Sequence, residues 1–416
     1  MTQSRFDLEQ AWAGKVPSHW RWSRNKELLA ESLSVSLDGS EELLSVSHLT
    51  GITPKSEKNV TMTAAENLDG YRLVNKGDLV INTMWAWMGA LGVSKQTGIV
   101  SPAYGVYSPH PNAPFDSGFY DYLYRSNPYV MEMTRFSRGI WSSRLRLYPD
   151  VFLSMAVPVP PLEEQRVIAN FLDRETARID TLIEEQQRLI EMLRERRRSV
   201  ITTAIPPRAN LGSGADKLGR TARIGNGSTP RRENREYWDG GNIPWLNSSV
   251  VNQGRVGSAA ECVTATALVE CHLPIVPRGS ILVGLTGQGK TRGMATILDL
   301  EATVNQHLAY ITPDQGRWDP DYLMWLLTGT YDDLRRISEE NGSTKGGLTC
   351  EALKQLRVTV PPIDEQRRLA SHLAEQTAKI DTLIAETERF IELSTERRSA
   401  LITAAVTGQI DVQEAV

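Results

Sequence analysis

The feature that most constrains the fold of this 416-residue chain is an internal repeat. Residues 160–204 read PPLEEQRVIANFLDRETARIDTLIEEQQRLIEMLRERRRSVITTA, and residues 361–405 read PPIDEQRRLASHLAEQTAKIDTLIAETERFIELSTERRSALITAA. The two segments align without a gap at an offset of 201 residues, and more than half of the aligned positions are identical. Chance does not produce such a match, so the chain is a duplicated unit.

Each copy of the repeat predicts one long helix. The Pro-Pro pair that opens each copy suits an extended lead-in and the first helical turn, because proline loses no intrahelical hydrogen bond there. Acidic residues follow at once, at Glu163–Glu164 and Asp364–Glu365, where the helix dipole favours negative charge. Neither copy is interrupted by Gly or Pro, so a helix of about 43 residues, roughly 65 Å long, is expected.

An apolar stripe runs along both predicted helices with a spacing of three and four residues. A helix this long, with a narrow stripe and a charged remainder, needs a partner helix, and the obvious partner is the other copy. The alternative is that each helix packs separately on its own domain, while the charged faces are either solvated or offered to another subunit. The predicted interface residues are Ile168, Leu172, Ile179, Leu182 and Leu193 in the first copy, and Leu369, Leu373, Ile380, Leu383 and Leu401 in the second.

Two blocks without helical periodicity precede the two helices and differ more from each other. VNKGDLVIN in the first block (74–82) corresponds to VPRGSILVG in the second (276–284), each a glycine turn followed by an apolar strand. The order is therefore block, helix, block, helix. The predicted segments are a first domain, 1–158, a first helical segment, 159–206, a second domain, 207–359, and a second helical segment, 360–416.

Residues 284–291 read GLTGQGKT, which matches the G-x-x-x-x-G-K-[ST] pattern of a phosphate-binding loop. Such a loop opens a helix whose N-terminus faces the phosphates, whereas the RGMATILDLEATVNQ that follows here predicts a strand and a hairpin. The equivalent segment of the first block, NTMWAWMGALG, does not have the composition of a phosphate loop. We therefore interpret GLTGQGKT as a surface hairpin with a basic tip rather than an ATP site.

Two clusters of arginine and aromatic residues predict nucleic-acid surfaces, MTRFSRGIWSSRLRL (133–147) and STPRRENREYWDGGNIPW (228–245). Arginine contacts phosphates and guanine edges, while aromatic side chains pack against sugar and base or anchor loops. The alternative is that the arginines are solvated and the aromatics, with Trp85 and Trp87 of WAWMG, belong to the core. The candidate DNA contacts, including two cations of the hairpin tip, are Arg135, Arg138, Trp141, Arg144, Arg231, Arg232, Arg235, Lys290 and Arg292.

Composition and missing motifs exclude several classes of protein. The net charge of −4 gives no overall nucleic-acid signal, so an anionic partner must bind local patches. No apolar run approaches the roughly 18 residues of a membrane span. Three cysteines without a C-x-x-C pair predict a reducing cytoplasm and no disulfide framework, and Cys262, Cys271 and His272 lack a fourth ligand at zinc-like spacing. The motifs [DN]-P-P-[YF], [DE]-x-K and G-x-S-x-G do not occur, which predicts a chain without catalytic residues.

The two PP-x-x-EQR and IDTLI segments, each after a divergent block, resemble the specificity subunit of type I restriction-modification systems over essentially the whole chain. The loops GDLVINTMWAWMGALG and GNGSTPRRENREYWDGGNIPWLN are also similar to target-recognition segments of that family. The resemblance implies an α+β fold in which two similar mixed α/β target-recognition domains are separated by two long helices. Those helices would form an antiparallel coiled coil and give the chain a pseudo-two-fold internal repeat.

The resemblance also implies function and partners. Each domain would read one half of an asymmetric, bipartite target in double-stranded DNA, while the helices set the gap and dock two methyltransferase subunits. Restriction/translocase subunits would complete the enzyme. The chain itself would hold no cofactor, and S-adenosylmethionine, ATP and magnesium are expected on the partner subunits. The alternative is a non-catalytic coiled-coil adaptor with two protein-binding modules, which the near-neutral charge of each block permits.

Overall fold

The computed structural model of the protein describes residues 11–57, 68–139, 145–205, 215–287, 289–340 and 347–412. The chain forms two compact units. The first consists of Met1–Gln187 together with Arg389–Val416, and the second is the intervening segment Arg188–Glu388. Among the described helices, none is long and apolar enough to cross a membrane.

The first unit is built on a small antiparallel sheet. The strands described before the first repeat are β1 (Arg21–Arg24), β2 (Leu29–Glu31), β3 (Leu44–Ser47), β4 (Gly51–Pro54), β5 (Arg72–Val74), β6 (Leu79–Ile81), β7 (Leu91–Val93), β8 (Gly98–Val100), β9 (Gly105–Pro109) and β10 (Ala156–Val159). The α-helices described there are α1 (Asn25–Leu28), α2 (Ser117–Arg125), α3 (Asn127–Phe136) and α4 (Pro149–Ser154). The main sheet has the order β2-β9-β6-β7 with antiparallel neighbours, and β10 returns to pair with β1.

The first long helix is α5 (Leu162–Ala204) and the second is α10 (Ile363–Val406), so the prediction of one uninterrupted helix in each repeat is confirmed. The strands described between them are β11 (Asp216–Lys217), β12 (Ala222–Asn226), β13 (Ile243–Leu246), β14 (Arg255–Val256), β15 (Glu261–Val263), β16 (Ile281–Gly284), β17 (Ala295–Leu298), β18 (Thr303–Val304), β19 (Leu308–Pro313) and β20 (Arg357–Val358). The α-helices described between them are α6 (Ala265–Glu270), α7 (Pro320–Gly329), α8 (Tyr331–Glu340) and α9 (Cys350–Lys354).

The two units repeat one chain path. The main sheet of the second unit has the order β12-β19-β16-β17-β14, in which β19, β16 and β17 repeat the antiparallel pairing of β9, β6 and β7. The turns before β6 and β16 contain Gly77 and Gly279 with φ of 96° and 83°, a conformation that glycine adopts without steric cost. In both units a pair of helices follows, capped by Asp116 or Asp319, and β20 pairs with β11 as β10 pairs with β1.

Each unit has its own hydrophobic core, and opposite ends of the two long helices lie in it. In the first unit, Ile168 and Leu172 of α5 are buried in the core and Leu401 of α10 packs against the same cluster. In the second unit, Leu373 of α10 is buried together with Ile201 of α5. The beginning of one helix therefore meets the end of the other in each unit, so the helices run antiparallel. The alternative that each helix packs on its own domain fits the helix starts, at Ile168, Leu172 and Leu373, whereas Ile201 and Leu401 near the helix ends pack on the other domain.

The glutamine of the first PP-x-x-EQ segment fixes the start of α5 to its domain. The side chain of Gln165 is fully buried. Its Oε1 accepts a hydrogen bond from the backbone N–H of Asp116 at 2.8 Å, and its Nε2 donates to the carbonyl oxygens of Pro114 and Pro160, each at 2.9 Å. The amide thus uses both of its polar ends on backbone groups that would otherwise be buried without partners.

The second copy repeats this arrangement at Gln366, which is also fully buried. Its Oε1 accepts from the N–H of Asp319 at 2.9 Å, and its Nε2 donates to the carbonyl oxygens of Arg317 and Pro361, each at 2.8 Å. Because Asp116 and Asp319 are the caps of α2 and α7, each glutamine ties a long helix to the helix pair of its own unit. The motif that revealed the repeat therefore has a structural role.

The buried stripe of the helix pair differs from the predicted one at two residues. The side chains of Leu182 and Leu383 are 37% and 48% exposed, whereas the adjacent Ile183 and Ile384 are half-buried. At 3.6 residues per turn, a shift of one residue rotates a side chain by roughly 100°, so only one member of each pair can face the interface. Of the other predicted interface residues, Ile380 is buried, and the half-buried ones are Ile179, Leu193, Leu369 and Leu401.

Candidate nucleic-acid interface

The loop between β6 and β7 exposes a tryptophan. It forms a single 3-10 turn at Ala86–Met88 that ends on Gly89 with φ of 81°. Trp87 is half-buried and its indole N–H donates to the carbonyl of Met84 at 3.0 Å, while the carbonyl of Trp87 accepts from Thr134 at 3.2 Å. These contacts fix the loop, and Trp85 is left 52% exposed. Of the two tryptophans, Trp85 is the candidate contact and Trp87 the anchor.

The first arginine cluster begins at the C-terminal end of α3 and lies beside this loop. Arg135 donates from Nε to the buried Glu132 at 2.8 Å, and its guanidinium lies 4.4 Å from the centre of the Phe136 ring. Arg138 and Arg146 exchange two backbone hydrogen bonds of 2.9 Å, and both side chains are exposed.

The same segment is joined to the β6–β7 loop by the N–H of Leu147, which donates to the carbonyl of Thr83 at 3.0 Å. The segment that carries Arg138 therefore lies beside the loop that carries the exposed Trp85, whereas Arg135 is held by an acidic neighbour. Trp141 and Arg144 were predicted as contacts in the same cluster, and they lie outside the described residues.

The second arginine cluster contains one anchored and two available cations. Arg232 pairs with both carboxylate oxygens of Glu261, and its guanidinium lies 4.1 Å from the ring centre of Trp238 and 5.1 Å from that of Trp245. The hydrogen bonds raise the pKa of Arg232 and lower the pKa of Glu261, so the pair stays charged. By contrast, Arg231 and Arg235 are exposed and make no ion pair with any described residue.

Glu261 lies in β15 and Trp245 in β13, two adjacent strands of one sheet. The contacts of Arg232 therefore pin the loop that carries Arg231 and Arg235 to this sheet. The three arginines were predicted alike as DNA contacts. The anchoring of Arg232 was not predicted, because its partner Glu261 lies 29 residues later in the sequence.

The GLTGQGKT segment forms the loop of the β16–β17 hairpin and leads into a strand, as predicted, rather than into a helix. The loop is held on α8 by Tyr331, whose hydroxyl donates to the carbonyl of Lys290 at 2.9 Å, and by Arg335, which donates to the carbonyl of Gly289 at 2.6 Å. Lys290 is exposed, in agreement with a basic tip. The prediction of an exposed Arg292 is wrong: this side chain is buried and pairs with Glu339 at 3.2 Å. This ion pair joins the hairpin to α8.

The long helices also carry large exposed apolar side chains, of which only Leu182 and Leu383 belonged to the predicted interface. Large side chains are exposed at positions that correspond through the repeat, Leu182 to Leu383, Leu189 to Phe390, and Met192 to Leu393. Because the helices are antiparallel, each unit presents one set of three. The set of the first unit is Leu182, Phe390 and Leu393, and the set of the second unit is Leu189, Met192 and Leu383. We call these sets the helix patches.

The described residues offer no candidate metal centre, since no group of three or more His, Cys, Asp or Glu side chains is close enough to hold an ion. His272, which neighbours Cys271 in the sequence, donates from its Nδ1 to the carbonyl oxygen of Val269 at 2.9 Å. It is also the only described non-glycine residue with a positive φ, 51°. Its contact is local and structural.

Comparison with known proteins gives one family model and a set of similar proteins. Residues 217–392 match the model described as type I restriction modification DNA specificity domain. This range runs from the first strand of the second unit into α10.

Two curated proteins are similar to parts of the chain. The EcoR124I/EcoR124II specificity subunit of Escherichia coli is 22% identical over 177 residues, which are 42% of this chain and 44% of the relative. The MjaIX specificity subunit of Methanocaldococcus jannaschii is 32% identical over 163 residues, which are 38% of this chain and 36% of the relative. The chain thus matches less than half of the length of either relative.

A solved chain is similar over almost the whole length. It comes from a structure described as the basis of complex assembly and conformational transition of the type I R-M system. The match has a TM-score of 0.75 at 16% identity and covers 95% of this chain and 100% of that chain. At this identity the similarity concerns the fold, and it confirms the predicted combination of α+β domains with long helices.

Proposed function

We propose that this chain, which belongs to the family of type I restriction-modification specificity subunits, selects the DNA sequence on which a multisubunit methyltransferase and restriction complex acts. The chain would supply recognition and no catalysis. The observation that carries the proposal is the repetition of one scaffold, with the sheet order β2-β9-β6-β7 repeated as β12-β19-β16-β17 while the loops after β6 and β16 differ completely in sequence.

A duplicated scaffold with divergent loops is suited to a bipartite target. Each domain would read one half-site, and because the loops differ, the two half-sites would differ as well. Two readers joined through antiparallel helices can meet half-sites about one helical turn of DNA, roughly 34–36 Å, apart. Since α5 and α10 are uninterrupted, they would act as a spacer that fixes the gap between the half-sites.

The proposed contacts in the first domain are those of the surface that joins Trp85 to Arg138, extended by Trp141 and Arg144. Trp85 is exposed, and Arg138 makes no ion pair with any residue that the structure describes. This combination suits a DNA backbone and base edges, because arginine binds phosphate and guanine through paired donors. In the second domain we propose Arg231, Arg235 and Lys290 as contacts. Arg135, Arg232 and Arg292 are paired with carboxylates, and we assign them a supporting role in these surfaces.

We propose the helix patches as the docking surfaces for two methyltransferase subunits. Exposed apolar groups at corresponding positions of both units predict two equivalent sites, one for each subunit. Large apolar side chains seldom lie exposed in sets on a helix unless they bind a partner. A Leu393→Asp substitution would then weaken one site, and Met192→Asp would weaken the other.

The remaining partners and cofactors are proposed from the family alone. S-adenosylmethionine would bind the methyltransferase subunits, and ATP with magnesium would bind the restriction/translocase subunits. A cytoplasmic location is proposed from the three cysteines, Cys262, Cys271 and Cys350, which form no disulfide.

The salt dependence of binding to duplex DNA tests the proposed function. Phosphate contacts release counterions, so the affinity of the chain in complex with its methyltransferase subunits should fall steeply as salt rises. Replacing both Arg231 and Arg235 with Ala should reduce the slope by up to about 2, roughly 0.9 for each lost phosphate contact. Arg178→Ala, an exposed arginine of α5, is the matched control. A complex that binds duplex DNA without salt dependence, or not at all, would contradict the proposal.

A further inference from the structure

A cleft of about 500 Å³ lies in the second unit between the C-terminal part of α5, the β16–β17 loop and the junction of α7 and α8. This volume is in the range of small-molecule sites, about 300–1,000 Å³. Ile201, Met294 and Ala295 contribute apolar lining. The charged groups that line the cleft are Arg194, Arg197, Arg198, Lys290 and Asp332.

Two of the four cations in the cleft are neutralised by carboxylates of the same unit. Arg197 donates to Asp381 at 2.8 Å, and Arg194 donates to Glu191 at 2.7 Å and to Glu388 at 3.3 Å.

The other two cations, Arg198 and Lys290, make no ion pair with any residue in the described ranges. They come from two different elements, a helix and a loop. The backbone of that loop is fixed by the hydrogen bonds that Tyr331 and Arg335 donate to it. With Arg194 and Arg197 paired, the cleft therefore presents two cations, Arg198 and Lys290, against one lining carboxylate, Asp332, on a supported frame.

The repeat provides an internal comparison in the first unit. Ser399 stands where the second unit has Arg198, and Asn127 opens α3 as Tyr331 opens α8. Asn127 Nδ2 donates to Ser399 Oγ at 2.9 Å, so helix α10 is joined directly to α3 at this place. The preceding arginine keeps its structural pair in both units, Arg398 with Asp180 and Arg197 with Asp381. The extra cation thus belongs to the second unit and is not required by the helix pairing.

We infer that this cleft binds a phosphate group through Arg198 and Lys290. The guanidinium offers paired N–H donors to phosphate oxygens, and the ammonium adds a compact charge. The apolar lining suits the sugar or base that a nucleotide carries. Phosphate can reach the cleft as a diester of the DNA backbone, which rests on the proposed function, or on a free nucleotide, which does not. The loop would contribute Lys290 without forming a phosphate loop, because no helix follows it.

The test uses the full-length chain with two probes. Titration calorimetry measures the affinity for ATP, and a salt series measures the affinity for a mixed-sequence DNA duplex. The variants are Arg198→Ala, Lys290→Ala, the double variant and Lys290→Arg, and Arg178→Ala controls for loss of a positive charge on the same helix. Urea unfolding of each variant verifies that the fold is intact, as expected for two exposed side chains.

A free nucleotide would be supported as the source of the phosphate by three results together. The original chain binds ATP, the double variant binds it at least about tenfold more weakly, and Lys290→Arg retains the affinity. A salt slope reduced by about 1 in Arg198→Ala alone and by about 2 in the double variant, at roughly 0.9 for each contact, would support the DNA backbone. If neither the affinity for ATP nor the salt slope of DNA binding differs between the double variant and Arg178→Ala, the inference is wrong. A chain that binds ATP and no DNA would contradict the proposed function while supporting the cleft.

Discussion

Arg398 donates two hydrogen bonds to the carboxylate of Asp180, at 2.8 and 3.0 Å, and joins α10 to α5 in the first unit. The offset of the repeat relates Asp180 to Asp381 and Arg197 to Arg398, and Arg197 donates to Asp381 at 2.8 Å in the second unit. The aspartate of IDTLI and an arginine of the basic run near the helix end therefore pair in both units. Such a reciprocal pairing requires helices of opposite direction.

Replacing either aspartate with asparagine should destabilise the chain by a similar, small amount. The paired side chains are partly exposed, so solvent screening limits each pair to roughly 0.2–1 kcal/mol. Urea unfolding of Asp180→Asn and Asp381→Asn measures the loss, which should shrink at high salt. Glu163→Gln, which removes an exposed pair within one helix, is the control. A loss in only one of the two aspartate variants would contradict the equivalence of the two pairs.

Gln366→Ala should be far more damaging than a change of an exposed glutamine on the long helices. The substitution leaves the Asp319 N–H and the carbonyls of Arg317 and Pro361 without their partner in a buried place. An unsatisfied buried polar group costs about 1–3 kcal/mol, and several are affected here, so we expect a loss of about 2–5 kcal/mol. Urea unfolding measures it, with the exposed Gln187→Ala as control. Equal stability of the two variants would show that Gln366 does not fix the helix to its domain.

Arg232→Ala should lower the stability of the second unit, whereas Arg235→Ala should lower its affinity for DNA. Loss of Arg232 removes two hydrogen bonds to Glu261 and the packing on Trp238, so the stability of the second unit should fall by about 1–2 kcal/mol. Loss of Arg235 should leave stability unchanged and lower the affinity for duplex DNA by about three- to tenfold. Thermal unfolding and DNA titration of both variants separate the two effects. Weaker DNA binding with normal stability in Arg232→Ala would contradict its role as an anchor.

Insertion of one helical turn into both α5 and α10 should lengthen the gap of the recognised sequence without changing either half-site. The gap should lengthen because the recognition domains stay intact while the helical spacer formed by α5 and α10 grows by about 5.4 Å for each turn. The insertion points that leave both cores intact are between Gln187 and Arg188 and between Glu388 and Arg389. Methylation mapping with the altered chain measures the gap. An unchanged gap in a chain that still directs methylation would contradict the spacer role.

The repeat allowed the two long helices to be predicted from the sequence. Two similar helices that each carry one stripe of apolar residues are expected to pack against each other. The antiparallel direction and the α+β architecture were implied by the family resemblance, and the hairpin after β16 followed from its strand pattern. The error at Leu182 and Leu383 has a simple cause. Each has an apolar neighbour one residue later, and the sequence alone does not indicate which of the two faces the partner helix.

The site was less accessible because partners distant in sequence decide which cations are available. Arg292 and Lys290 are both cations of the same loop sequence. Arg292 is nevertheless buried and paired with Glu339 of α8, whereas Lys290 is exposed. The glutamine of PP-x-x-EQ was recognised only as a marker of the repeat, since its partner Asp116 lies 49 residues earlier. In the second unit Asp319 lies 47 residues before Gln366, a separation close to that of the first unit. This similarity indicates a contact only once the fold of the domain is known.

Two diverged recognition domains on one duplicated frame are proposed to specify a two-part DNA target. Genome-wide mapping of adenine methylation tests this proposal in a host that carries the chain with the proposed methyltransferase subunits. The map is compared with and without the chain, and with residues 1–158 exchanged for those of a relative. The expected result is a gapped motif that is methylated in both halves, is lost without the chain, and is altered in one half only by the exchange. A motif that is unaffected by the chain, or an exchange that alters both halves, would contradict it.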